Sequence, residues 1–258
     1  MGSVSMEEKP LAQTPWGGLT ALLVVVLTYV VTLVIGTLVI SIYPHSQHWT
    51  NAQANAWLQK SVLAQFGYVL LVETLTLAAI FLFIRWRKGS LRVVGLTKPR
   101  AQDIGPALLG FVAYFAIYYA AYLFVQAFIP QINLQQQQDV GFQTVGRGLP
   151  LALTFLSLVV LPPIAEEIVF RGFLYSGLRR ALPMVYAGIV TSLVFASAHL
   201  LESASGGLLW IAGIDTFILS MVLVYLREKT GRLYAGMLVH ALKNLVAFLV
   251  LYHVVLGL

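Results

Sequence analysis

The chain has 258 residues, of which 59% are apolar and only 10% charged, against roughly 45–50% and about 25% in ordinary soluble domains. That balance excludes a water-soluble globular protein, and the apolar residues fall in blocks of about 20 or more, each long enough to cross a bilayer. Cysteine is absent, so thiol nucleophiles, thiolate metal sites, disulfides and palmitoyl anchors are excluded, and any catalysis must use oxygen or nitrogen groups. The formal charge of +6 would invite a nucleic-acid partner in a soluble protein. Here its distribution over the loops explains most of it, and no nucleic acid is expected.

Residues 1–15 are polar, with Glu7, Glu8 and Lys9, and read as a short cytoplasmic tail without a cleavable signal peptide. The first apolar segment runs from Trp16 to about Tyr43. Between Pro44 and Lys60 lie His45, His48 and two tryptophans, a composition suited to the membrane–water interface. The second segment spans Ser61 to about Ile84 and ends in the most basic loop of the chain, Arg85 to Arg100. The third covers about Ile104 to Ile129. It is followed by four glutamines, Gln135 to Gln138, in a loop expected to be polar and mobile.

The fourth segment begins near Leu149 and contains Pro162 and Pro163, which are expected to kink or restart the helix. A fifth follows Pro183 and reaches His199, a sixth runs from about Gly206 to Leu226, and a seventh from Leu233 to the C-terminus. The expected fold is therefore an all-α, polytopic transmembrane bundle of seven to eight helices around an intramembrane polar cavity. Residues 16–148 supply three N-terminal helices and residues 149–258 a catalytic half. With the N-terminus inside, the cytoplasmic loops hold the basic residues of Arg85 to Arg100 together with Lys9, Arg179, Arg180, Arg227, Lys229 and Arg232, and the outer loops hold only Lys60 and Arg147. This bias predicts a multi-pass cell-membrane protein with a cytoplasmic N-terminus.

Ionisable groups inside the hydrocarbon are costly, so each is a functional candidate by default. They are Glu73, Glu166, Glu167, Arg171, His199, Asp215, His240 and Lys243. Glu167 and Arg171 are four apart and share a helix face, where they can pair. Glu166 is turned about 100° away. One cation does not need two anions, and a carboxylate in a low-dielectric setting accepts a proton more readily than one in water. His240 and Asn244, again four apart, offer an imidazole and a carboxamide that can both donate to a developing oxyanion, or else tie their helix to its neighbours. His199 alone would pass for a structural histidine. For Glu73, Asp215 and Lys243 the expectation is mutual neutralisation inside the bundle.

Taken together these groups form a complete set for hydrolysis of an amide by activated water. At EEIVFR (Glu166 to Arg171), FASAH (Phe195 to His199) and HALKN (His240 to Asn244), the sequence resembles the CPBP family. These are CAAX-protease and bacteriocin-processing (ABI) membrane proteins that include the Ras-converting CAAX endopeptidase. The motifs stand in the family's order within residues 149 to 250. The resemblance implies that Glu166 is the general base, that His199 helps to hold the water, that His240 and Asn244 form the oxyanion hole, and that Glu167 and Arg171 support them. Many relatives carry two glycines four apart after a phenylalanine, whereas here Phe217 is followed by Ser220 and Val224, which puts close packing of that helix in question.

The expected activity is that of an intramembrane endopeptidase acting on a peptide or membrane-associated protein in the bilayer, a prenylated CAAX-type chain among the candidates. Its cavity is expected to open towards the cytoplasm. The alternatives are a non-proteolytic bacteriocin self-immunity or scaffold protein and, less favoured, a transporter, for which the chain lacks paired broken helices. No cofactor is expected. The metal alternative is a zinc held by Glu166, His199 and His240, against which stands the absence of a His-Glu-x-x-His helix.

Overall fold

A computed structural model of the chain describes residues 13–201 and 207–257. Most of the N-terminal tail and the start of the sixth segment at Gly206 lie outside the described residues. Among the described residues the fold is all-helical, with no β-strand. In chain order the helices are α1 (Gly18–Ser46), α2 (Asn51–Lys60), α3 (Val62–Trp86), α4 (Ile104–Phe128), α5 (Leu149–Arg179), α6 (Met184–His199), α7 (Trp210–Thr230) and α8 (Tyr234–Leu251), followed by a last turn, His253–Leu256. All but α2 and α6 are long and apolar enough to cross a bilayer. Leu19, Leu27 and Leu109 are among many large apolar side chains exposed on the outside of the bundle, as they must be when lipid is the solvent.

The interfacial segment before α3 folds as α2, a short polar helix. Its start is fixed by a capping box in which Thr50 Oγ1 accepts from the Gln53 amide and Gln53 Oε1 accepts from the Thr50 amide. Tyr43, Trp49 and Trp57 cluster beside it with ring centres 5.3–6.0 Å apart, forming an aromatic belt at that face.

The two prolines do not break α5. The helix widens to π geometry at Leu156–Val160, continues as α-helix over Leu161–Glu166, and widens again at Glu167–Leu174. A proline ring clashes with the carbonyl four residues back and has no amide to offer it. The wider turn ahead of Pro162 makes room for the rings without ending the helix. α5 therefore runs on to Arg179. Along α5, Glu166 stands about 20 Å from that end, and along α6 His199 stands a similar distance from Met184, at about 1.5 Å per residue. The two residues thereby come to line the same cavity.

Two further expectations are revised. The glutamine loop is docked rather than loose: Gln136 donates to the Leu208 carbonyl and accepts from the Trp210 amide, while the Phe142 amide donates to Gln65. These partners satisfy polar groups that would otherwise lie against the bundle. Helix α7 packs closely on α6 without its own glycine pair, because the small residue sits on the partner. A Cβ on Gly188 would stand 3.2 Å from Val224 Cγ1, and Ser220 and Val224 are buried.

Candidate active site

Helices α3, α5, α6, α7 and α8 surround a cavity of about 360 Å³ lined by Glu73, Glu166, His199, His240, Lys243 and Asn244, among others. The four residues singled out from three separate motifs thus meet in one space, of the size usual for ligand sites. Glu166 is half-buried with 16% of its side chain exposed, and His240 Nε2 lies 3.6 Å from its Oε2.

Beneath the cavity floor Glu167 and Arg171 are almost fully buried and paired at 2.9 Å between Oε1 and Nη1, as the i, i+4 spacing requires. His240 Nδ1 lies 3.6 Å from Glu167 Oε1. The imidazole therefore stands between the two adjacent carboxylates, with Glu166 on the cavity side and Glu167 on the core side. Glu167 owes its room to Gly236, one turn before His240 on α8, where a Cβ would stand 2.6 Å from Glu167 Oε2.

Phe195 holds the other wall. Its ring lies under the Arg171 guanidinium at 4.4 Å, an arrangement that stabilises a desolvated cation. It also packs on Phe170, His199 and His240, with ring centres 4.9, 4.7 and 6.0 Å away. His199 Nδ1 is 3.0 Å from the Phe195 carbonyl. That contact assigns the proton to Nδ1 and directs Nε2 away from its own helix.

Asn244 Nδ2 donates to the Leu158 carbonyl at 2.9 Å. Leu158 lies in the wide turn ahead of Pro162 and Pro163, neither of which has an amide to offer its carbonyl. The carboxamide has a second N–H, and the bond to α5 fixes where that hydrogen points. On the adjoining wall Lys243 Nζ pairs with Asp215 Oδ2 at 2.9 Å, and Tyr114 donates to the same carboxylate. These two charges neutralise one another as expected, while Glu73 lines the cavity apart from that pair.

The zinc alternative requires Glu166, His199 and His240 to converge on one point. Among the described residues no group of three or more His, Asp or Glu side chains is arranged to hold a metal ion.

The cavity reaches the surface beside Gln138, Asp139 and Leu251, on the face that carries the glutamine loop. None of its lining comes from the Arg85 to Arg100 loop or from the turns after α5 and α7. The exposed part of the lining thus stands at the end of the bundle away from the basic loops. On the basic side the helices extend past the site around a packed core that includes Trp16, Val94, Phe173 and Leu174.

Sequence reasoning did not assign Phe195, Gly236 or the Leu158 carbonyl. For Gly236 a signal was present, since it shares a helix face with His240 four residues on. For Leu158 the signal was the Pro162–Pro163 pair itself.

Residues 148–246 match the model of the family described as Rce1-like, type II CAAX prenyl endopeptidase Rce1-like. Uncharacterized protein YyaK of Bacillus subtilis (strain 168) is 29% identical over 142 residues, 53% of this chain and 44% of that protein. The chain thus spans less than half the length of this curated relative. No solved structure matches the chain significantly. The family resemblance carried by the three motifs is therefore borne out over residues 148–246, the stretch that holds Glu166, His199, His240 and Asn244.

Proposed function

We propose that the protein is an intramembrane endopeptidase that uses Glu166 to activate water. The observation that carries this reading is the meeting of Glu166, His199, His240 and Asn244 in one cavity, from helices far apart in the chain. Water held between Glu166 and His199 Nε2 gives a proton to the Glu166 carboxylate and attacks the substrate carbonyl carbon. The oxyanion that forms accepts from the His240 imidazole and from the second amide hydrogen of Asn244. Glu166 then returns the proton to the leaving amine as the carbon–nitrogen bond breaks, giving a carboxylic acid, which ionises in water, and an amine. Arg171, Phe195 and Glu167 hold the histidines and Glu166 in register.

The substrate is a peptide or membrane-associated protein, and the family description adds a CAAX prenyl chain as one class to be tested. Purified protein incubated with a diverse membrane-peptide library should give defined cleavages read by mass spectrometry. Glu166→Gln should abolish them while the protein stays folded. A Glu166→Gln protein that cleaves at the wild-type rate would overturn the mechanism, and a folded wild-type protein that cleaves nothing in the library would favour the scaffold reading.

A further inference from the structure

A second groove lies on the outside of the bundle, apart from the candidate active site. It has a volume of about 780 Å³ and runs between α4 and α7, with Leu109, Ile117, Phe217, Met221 and Tyr225 in its walls. Among the described residues it shares no lining with the cavity that holds Glu166. Its floor is the line where the two helices touch: a Cβ on Gly110 would stand 2.9 Å from Leu226 Cδ1, and Leu226 is buried. Its rim is open, since Leu109, Ile117 and Tyr225 are exposed.

Lipid covers any apolar helix face in a membrane, but two features distinguish this groove from such a face. The first is its length. It occupies Pro106 to Ile117 of α4 and Phe217 to Thr230 of α7, about 16 and 20 Å at about 1.5 Å per residue. One leaflet supplies about half of a hydrocarbon core roughly 30 Å thick. The groove therefore spans a single leaflet, on the side of the basic loops, and stops near the bilayer centre.

The second feature is its polar end, where Lys229 and Thr230 close the lining. Lys229 Nζ stands 5.7 Å from the centre of the Tyr225 ring, one turn back on α7, so the groove wall itself attracts the ammonium. The carboxylates at this end of the two helices are matched elsewhere: Glu228 pairs with Arg179 at 2.9 Å and Asp103 with Arg232 at 2.6 Å. Among the described residues Lys229 makes no ion pair. Arg100, just ahead of α4, is exposed and adds a second positive charge to the mouth.

From this geometry we propose that the groove between α4 and α7 binds one anionic glycerophospholipid, with an acyl chain along the apolar walls and the headgroup phosphate on Lys229. The inference is independent of the endopeptidase reading. A phosphate complements the unpaired ammonium, and a lipid of one leaflet has the length of the groove. A transmembrane helix of another protein would run on through the second leaflet, where the groove has ended. A zwitterionic headgroup brings its own cation and gains less from Lys229. The inner end of the groove, at Ala113 and Phe217, adjoins Tyr114, which donates to Asp215, the partner of Lys243 on the cavity wall. The bound chain thus braces α4 against α7 beside that contact.

The test uses delipidated full-length protein in a neutral detergent. It is titrated with phosphatidylglycerol, with phosphatidylcholine of the same acyl chains, and with inorganic phosphate, and read by native mass spectrometry and thermal unfolding. One phosphatidylglycerol per chain should bind and raise the unfolding temperature, with phosphatidylcholine at least about fivefold weaker and phosphate without effect. Equal affinity for the two lipids would overturn the proposal. So would equal protection by inorganic phosphate, since the groove would then play no part. Lys229→Gln should weaken phosphatidylglycerol about fivefold, to the level of phosphatidylcholine. Ala113→Trp, at an exposed position in the groove, should weaken both lipids, and if it fails to fold Lys229→Gln alone decides. A Lys229→Gln protein that keeps the wild-type preference would overturn the headgroup assignment. A lipid-free dimer that Ala113→Trp dissociates would place a second copy in the groove and overturn the lipid.

Discussion

Asn244 takes the place of a backbone amide that Pro162 and Pro163 lack: its Nδ2 lies 2.9 Å from the Leu158 carbonyl on the opposite helix. A proline inside a transmembrane helix is tolerated when a neighbour satisfies the freed carbonyl. Here that neighbour also faces the candidate cavity. The defect in α5 and the placement of a polar group on α8 are two sides of one contact.

Removing the prolines should therefore separate the two roles of Asn244. In a variant carrying both Pro162→Ala and Pro163→Ala a new amide can bond to the Leu158 carbonyl within α5, so stability is expected to hold or rise. Asn244 loses its anchor and turnover should fall, on the order of tenfold, with substrate binding little changed. Asn244→Leu leaves the carbonyl unsatisfied and should cost about 1–3 kcal/mol as well as activity. Thermal unfolding in detergent and kcat measured side by side check the contrast. Equal thermal losses in the two variants would refute it.

The adjacent glutamates should also differ. Glu167 is 1% exposed and paired with an Arg171 that is fully buried, so Glu167→Gln strands a buried cation and is expected to cost about 3–5 kcal/mol. Glu166 is half-buried on the cavity wall, and Glu166→Gln should keep most of the stability while abolishing turnover. Denaturation midpoints for the two variants distinguish these outcomes, and equal midpoints would remove the division of labour.

Much of this site is legible in the sequence because membranes leave so few places for charge. Every ionisable residue in an apolar block had to be explained, and the i, i+4 spacings of Glu167 with Arg171 and of His240 with Asn244 already fix which groups share a face. What the sequence conceals is continuity and closure. Pro162 and Pro163 read as a break because the local rule is steric, whereas the π turns that absorb them depend on the packing of α3 and α8 around α5. The glutamines read as a mobile loop because composition does not reveal that Leu208, Trp210 and Gln65 supply partners. The direction of the cavity follows from which ends of the helices pack tightly, a property of the assembled bundle rather than of any segment.

Gly236 should be intolerant of even one added carbon. The Cβ of an alanine would stand 2.6 Å from Glu167 Oε2, a distance that forces the carboxylate or the helix to move. Overpacking of a buried contact typically costs about 1–3 kcal/mol. Gly236→Ala is expected to lower the unfolding temperature and to reduce kcat through the displaced Glu167 and His240, with Glu166 chemically intact. A variant with wild-type stability and turnover would show that this close approach is dispensable.

A glutamate-base enzyme and a zinc enzyme demand different things of the same residues. A zinc enzyme needs Glu166, His199 and His240 as ligands at about 2.0–2.2 Å from one centre. In this fold His240 Nε2 lies 3.6 Å from Glu166 Oε2, a spacing that either mechanism accommodates, and the residue that separates them is Asn244, whose Nδ2 is oriented as a donor. An oxyanion hole needs such donors, whereas zinc would take over the charge stabilisation and leave Asn244 without a chemical task. Turnover is therefore expected to survive a strong chelator, and Asn244→Asp, which replaces a donor by an acceptor, should lower kcat at least a hundredfold. Elemental analysis of active protein provides the companion measurement. One zinc per chain, with activity lost on chelation and restored by zinc, would make Glu166 and the two histidines ligands and overturn the glutamate-base mechanism.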